Sequence, residues 1–328
     1  MTARVGIPRA LSYYAYYPLW KTFFEQLGLE VVISQTTTKG ILDSGVKEAV
    51  ADACVPIKIF HGHILDIKDR VDYLFVPRLV SVNNEAMVTF CPKFLGLPDM
   101  IKASISGLPP IIDVRIDLRR GIWALPSVCL QIGRQLGKGF GEVFRAYRKA
   151  IKAYSRYQRL MGEHKTPVEA LAFLEGEQPK IENGENADLK FAILGFPYTV
   201  YDRFVNVDLV EKLRRLGVQV LTTEMVPHRD LLKQAKKLPK NLFWNFSNQV
   251  VRAALYYLDH KPVDGIIHIT AFGCGPDAMA DKIIELEARQ RGKTPFLSIT
   301  IDEHTGEAGL MTRLEAFVDM LRFRRELI

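Results

Sequence analysis

The chain is short of the features that mark most specialised proteins. It has four cysteines in 328 residues, none in a C-x-x-C pair. That excludes the disulfide framework of a small secreted protein and leaves out the strongest local signature of a zinc site. Reduced thiols are expected. No apolar run reaches the roughly 18 residues needed to cross a bilayer, and a strand begins a few residues after Met1 without a signal-peptide stretch. A cytoplasmic protein with no membrane partner is the expectation. Nucleotide motifs are missing as well. Gly6-x-Pro8 departs from the G-x-G-x-x-G fingerprint, and Gly292-Lys293-Thr294 has Glu287 where a P-loop needs glycine and precedes a strand instead of opening a helix. Charge of one sign is not extreme, since the net +7 is modest for this length and decides no partner.

What is present is a globular composition, 48% hydrophobic and 25% charged, too long for one core and too apolar for disorder. Two domains follow, and the chain repeats itself. Residues 4–8 read as a strand ending in Gly6-Ile7-Pro8, followed by an aromatic-rich helix to Leu27-Gly28 and a strand over 29–34. The same plan returns at Lys190: a strand through Leu194, Gly195-Phe196-Pro197, a helix from about Asn206 to Leu216-Gly217, and a strand over 218–222. Gly6 to Gly28 and Gly195 to Gly217 are each separated by 22 positions, a regularity that marks an internal repeat. Third strands at 71–76 and 263–269 both open with Val-Asp, and fourth strands at 110–117 and 295–302 complete the pairs.

Apolar strands alternating with helices predict parallel sheets covered by helices. The expected fold is therefore α/β, with two Rossmann-like lobes of four parallel strands each, related by the repeat and joined by a helical segment. The expected division is 1–117, a connector at 118–187, and 188–328 with a C-terminal helix carrying Leu314, Phe317, Val318 and Leu321. In the connector, Phe144, Tyr147, Ile151, Tyr154 and Met161 fall near one helical face, predicted to pack on a lobe or a second subunit. Arg145, Arg148, Lys149 and Lys152 lie elsewhere on that helix. Aromatics on a core stripe are not open platforms, which argues against nucleic acid. Asn183-Gly184-Glu185-Asn186 reads as a solvated loop before the second lobe.

In open parallel sheets ligands bind beyond the carboxyl ends of the strands, and cysteines sit in those loops. Cys91 lies in Phe90-Cys91-Pro92-Lys93, and Cys274 in Phe272-Gly273-Cys274-Gly275-Pro276-Asp277. Cys54 lies in Asp52-Ala53-Cys54-Val55-Pro56, at the predicted start of a helix. A helix N-terminus favours the thiolate that a metal ligand or nucleophile requires. These three are expected to meet in a cleft between the lobes, whereas Cys129, in an apolar helical stretch, reads as structural. The plain alternative is three small buried hydrophobes.

Other residues have weaker signals. His61 and His63, two apart on a helix, point in different directions and read as packing or capping groups. Lys58 and Lys93 stand near candidate ligands, and Tyr13, Tyr14, Tyr16, Tyr17 and Trp20 read mainly as core. Glu303 and His304, in Asp302-Glu303-His304 after the last strand, are the candidates for proton transfer or anion contact.

Taken together, Val5-Gly6-Ile7-Pro8-Arg9-Ala10-Leu11, Cys54-Val55-Pro56-Ile57-Lys58 with His61-Gly62-His63, Cys91-Pro92-Lys93 with Gly96-Leu97-Pro98-Asp99, Phe272-Gly273-Cys274-Gly275-Pro276-Asp277 and the segment from Asp302 to Gly309 resemble a known family. It comprises proteins related to acyl-CoA dehydratase activases and to 2-hydroxyacyl-CoA dehydratase and benzoyl-CoA reductase subunits. The resemblance implies a [4Fe-4S] or larger cubane-type cluster held by cysteines between two α/β lobes, reduced by an ATP-dependent activase and used for one-electron chemistry on an acyl-CoA. It also implies a homo-oligomer or a complex with a related subunit. Three cysteines are one short of a cubane's usual four, leaving the fourth position to a non-protein ligand, Cys129 or a partner. The reading set against it is a non-redox module that binds a small ligand or partner and has inert cysteines.

Overall fold

The computed structural model of the chain describes residues 2–82, 85, 87–121, 123–179, 187–260, 263–291 and 294–327. The loop expected at residues 183–186 and the Gly292-Lys293 pair lie outside them. The chain forms two compact units. One comprises residues 1–159 with 242–245, and the other residues 160–241 with 246–328.

In the first unit the order is β1 (Arg4–Ile7), α1 (Tyr13–Gln26), β2 (Glu30–Ile33), α2 (Lys39–Glu48), α3 (Val55–Ile67), β3 (Tyr73–Phe75), β4 (Arg78–Ser81), α4 (Pro92–Leu95), α5 (Leu97–Ser104), β5 (Ile111–Ile112), β6 (Arg115–Asp117) and α6 (Ala124–Gln135). Helix α7 (Phe140–Gly162) leads out of it. The second unit continues with α8 (Pro167–Leu174), β7 (Leu189–Gly195), α9 (Pro197–Val200), α10 (Leu209–Arg215), β8 (Val218–Thr222), α11 (His228–Gln234), α12 (Asn245–Asp259), β9 (Gly265–Ala271), α13 (Gly275–Arg291), β10 (Phe296–Ile301) and α14 (Glu307–Glu326). The helices of 118–187 are thus shared out, with α6 and most of α7 in the first unit and α8 in the second.

Each unit has one four-stranded sheet, ordered β2-β1-β3-β5 in the first and β8-β7-β9-β10 in the second. All pairings are parallel. The two orders are the same, so the repeat legible in the sequence is a repeat of topology.

Two local devices recur with it. The carboxylate of Asp72 accepts from the backbone N–H of Arg4 (2.7 Å), and Asp264 accepts from Lys190 N–H (2.8 Å). Each aspartate also donates its own N–H to the carbonyl of the residue it clamps. The Val-Asp that opens each third strand therefore fastens it to the first strand of its sheet. At the ends of α1 and α10, Gly28 (φ +78°) and Gly217 (φ +77°) adopt the left-handed conformation that turns the chain into the next strand, where a Cβ would be strained.

The fourth strand of the first unit departs from expectation. Residues 110–117 do not form one strand but break at Asp113, giving β5 in the main sheet and β6 paired with β4 in a separate two-stranded sheet. The break falls on a charge cluster. Asp113 is drawn into ion pairs with Arg78 (3.1 Å) and Lys102 (2.9 Å), and Arg78 also grips Asp99 through both guanidinium ends. Gly96-Leu97-Pro98-Asp99 thus anchors α5 to β4.

The face of α7 also differs from the predicted one. Val143, Ala146, Ala150, Tyr157 and Met161 form the buried stripe, whereas Phe144 is 44% exposed. Small residues let α7 approach α6 closely, as where Val143 lies against Gly133, and this rotates Phe144 outward. Helix α14 returns to the second unit's sheet, its Phe317 packing edge-on against Phe191 of β7 at 5.4 Å.

Candidate functional site

Cys54, Cys91 and Cys274 share a position that the sequence only hinted at: each is the residue immediately before a helix, α3, α4 and α13 respectively. Cys54 and Cys91 have nearly identical backbones (φ −65°, ψ 153° and φ −62°, ψ 154°), with proline in the first two helical positions and no side-chain hydrogen bond capping the helix. Their thiols are left at helix starts where free N–H groups gather.

The two belong to the same unit and sense each other. Burial pushes the Cys91 thiol above its ordinary value and the neighbouring Cys54 adds to this, while the backbone N–H groups of Phe94 and Lys93 and the Lys93 charge act in the opposite direction. Cys54 is buried and Cys91 partly exposed. The segment entering Cys91 is braced on two sides, by Phe90 N–H donating to Val80 O (2.8 Å) and by a bridge in which Thr89 N–H donates to Phe243 O (2.7 Å) and Asn245 N–H to Thr89 O (2.8 Å).

Cys274, in the second unit, follows Gly273 in its left-handed conformation (φ +75°). Its N–H donates to Ala271 O (3.0 Å) and its carbonyl accepts from Ala278 N–H (3.0 Å), so it closes the turn from β9 into α13. Beneath this turn lies a group that sequence reasoning missed. Buried His268 of β9 stands between two aspartates one turn apart on α13, with Nε2 3.3 Å from Asp277 and Nδ1 2.7 Å from Asp281. Burial alone would lower its pKa, but the two carboxylates push it up to about 9. The spacing Asp277-x-x-x-Asp281, one helical turn, was the available signal.

A second missed group is Glu224, just beyond β8. Burial pushes its carboxyl above the usual range although the Tyr201 hydroxyl donates to it.

The remaining predicted residues fall as follows. Cys129 is buried on α6, and burial pushes its thiol up to about 12, which removes it as a ready thiolate. His61 Nδ1 donates to Ile57 O (2.8 Å) within α3, and His63 shares a hydrogen bond with Thr37 (3.0 Å). Burial lowers both, His63 to about 4, so they stay neutral and do not act as a pair. Lys58 is buried on α3. Tyr13, Tyr14, Tyr17 and Trp20 are core. Tyr13, Tyr17 and Trp20 line, with Phe60 and Phe94, a cavity of about 20 Å³, room for about one water. Glu303 is half-buried and His304 exposed. Their loop is shaped by Asp302, whose carboxylate accepts from His304 N–H (2.9 Å) and the Thr305 hydroxyl (2.9 Å).

The donor set suits a thiophilic metal. Burial and the neighbouring Cys54 both oppose ionisation of Cys91, a penalty that a bound cation removes. Among the described residues no three His, Cys, Asp or Glu side chains are gathered as a metal site, and none of the described helices is long and apolar enough to cross a membrane.

Fold and site together define an α/β protein of two like sheets with cysteines at helix starts. The chain belongs to the family described as the CoA enzyme activase uncharacterised domain (DUF2229), which matches residues 4–226 and so includes Cys54 and Cys91. Residues 203–321, including Cys274, match 2-hydroxyglutaryl-CoA dehydratase, D-component. The resemblance read from the motifs is borne out, and the chain is related to an acyl-CoA dehydratase system. No curated protein matches it.

Proposed function

We propose that Cys54, Cys91 and Cys274 together hold an iron–sulfur cluster, [4Fe-4S] or a larger cubane type. The protein would then serve low-potential electron transfer, or reductive or dehydratase chemistry on an acyl-CoA-type substrate, inside the cytoplasm. An ATP-dependent activase is the proposed reductant, and a second copy or a related subunit the proposed assembly partner. The observation that carries this reading is the shared setting of the three thiols, each at the start of a helix, with Cys54 and Cys91 close enough to couple electrostatically.

Bound there, the cluster would supply one-electron chemistry. The chain's own part is to hold the ligands. Helix starts stabilise thiolates, backbone N–H groups of Lys93 and Phe94 tune the Cys91 sulfur, and hydrogen bonds and nearby cations of this kind raise a cluster's potential. Glu303 and His304 are the proposed proton-transfer residues.

Anaerobically purified protein should be brown and contain iron and acid-labile sulfide. Both should be lost when Cys54, Cys91 and Cys274 are replaced by alanine together, and both kept in Cys129→Ala. Colourless, iron-free protein after anaerobic reconstitution would overturn the proposal and leave the non-redox binding module in its place. Iron retained by the triple variant would overturn the ligand assignment.

A further inference from the structure

Helix α7 carries Arg145, Arg148, Lys149, Lys152, Arg156 and Arg159, all exposed. At about 100° per residue these six fall within an arc of about 100°, a stripe about 21 Å long. With Glu142 as its one acidic residue, α7 alone carries a net charge of +5. Almost nothing in the unit answers it. The one acid of α7, Glu142, accepts from Gly139 N–H (2.9 Å) at the helix start, and Lys149 donates to the neutral Gln26 (2.7 Å). The other five have no ion pair among the described residues. Like charges three and four residues apart repel along a helix, a cost that solvent screens and only an opposite charge reverses.

Beside the stripe, Phe140 (69% exposed) and Phe144 (44%) stack on each other, centroids 6.2 Å apart and planes within 6°. We propose that this face of α7 docks an acidic surface of a partner protein. Arginine next to exposed aromatic rings is the composition of protein interfaces. A bilayer is disfavoured because Val143, Ala146, Ala150 and Tyr157 of α7 are buried in the protein, and two phenylalanines at one end of the helix are not the continuous apolar face that lies in a lipid surface. A single-stranded nucleic acid binds on open ring faces, and Phe140 and Phe144 each give one face to the other. The inference is independent of the cluster proposal and concerns residues remote in sequence from Cys54, Cys91 and Cys274.

The test measures fluorescence anisotropy of a labelled poly-L-glutamate peptide with the full chain, against labelled oligothymidylate and phosphatidylserine vesicles. Poly-L-glutamate should bind, more weakly as salt rises, and at least tenfold more weakly to Arg148→Glu/Lys152→Glu/Arg156→Glu. The control Lys39→Glu/Lys47→Glu/Lys236→Glu makes the same change in net charge on exposed residues elsewhere and should weaken binding less than twofold. Equal weakening in the two variants, no binding of poly-L-glutamate, or tighter stripe-dependent binding of the oligonucleotide or vesicles would each overturn the proposal. Circular dichroism establishes that both variants are folded.

Discussion

Replacing His268 with leucine is expected to destabilise the second unit by about 3–5 kcal/mol, the usual cost of leaving one partner of a buried ion pair uncompensated. Asp277 is fully buried, and neither of its oxygens has a hydrogen bond among the described residues. Its charge is balanced by His268 Nε2 at 3.3 Å. Adding Asp277→Asn should recover much of the loss, because the orphaned charge goes with it. Urea titration followed by far-ultraviolet circular dichroism measures both, and an unchanged midpoint in His268→Leu would refute the assignment.

The same group predicts a pH dependence. His268 is raised in the fold from its ordinary 6.5 to about 9. Its contribution is therefore complete below pH 6.5 and is lost as pH rises through about 9, a change on the order of 3 kcal/mol. Asp281, which burial would raise but the His268 contact holds below the usual carboxylate range, contributes with the opposite sign and weakens only on acidification. Thermal stability should thus fall between about pH 6.5 and 9 in the native chain, and this fall should be absent from His268→Leu/Asp277→Asn.

Gly62→Ala and Gly45→Ala should each cost about 3 kcal/mol, at the upper end of overpacking penalties. Helices α2 and α3 cross at these residues. A Cβ on Gly62 would stand 1.9 Å from Ile41 O, and one on Gly45 1.9 Å from Lys58 O. Backbone is on the receiving side in both cases, so no side chain can swing away and the helices must part. Because Cys54 immediately precedes α3, the separation should also disturb the Cys54–Cys91 pair, seen as reduced iron content after anaerobic reconstitution. Gly141→Ala, on α7 with nothing within 4 Å of the added carbon, is the contrast and should be neutral or stabilising by up to about 1 kcal/mol. Equal midpoints for Gly62→Ala and Gly141→Ala would contradict the crossing geometry.

Much of this architecture was legible because the chain states it twice. Val71-Asp72 and Val263-Asp264 could be matched by eye, and each pair does the same work of tying the third strand to the first. Gly28 and Gly217 were legible for the same reason. The cysteines could be placed because proline or glycine beside them announces a helix start.

What escaped depended on partners in neighbouring elements, outside the segment being read. Residues 110–117 have an unbroken strand pattern, yet they divide where Asp113 pairs with Arg78 and Lys102. The apolar periodicity of α7 fits more than one face, and it is the neighbouring α6, with Gly133 against Val143, that selects the alanines over Phe144. Gly62 lay in a motif that drew attention to its flanking histidines, yet the glycine is the residue the crossing cannot do without. His268 reads as one polar residue inside an apolar strand, and nothing local reveals the two aspartates that hold its proton.

The bridge between Thr89 and residues 243–245 limits how far the two halves of the chain can be treated as interchangeable modules. The chain leaves the first unit after Arg159, comes back for residues 242–245, and leaves again. A fragment ending at Arg159 would lack Trp244 and the two hydrogen bonds that brace the segment two residues before Cys91. In the present protein the setting of a first-unit thiol is completed by a strip of chain made more than 150 residues later.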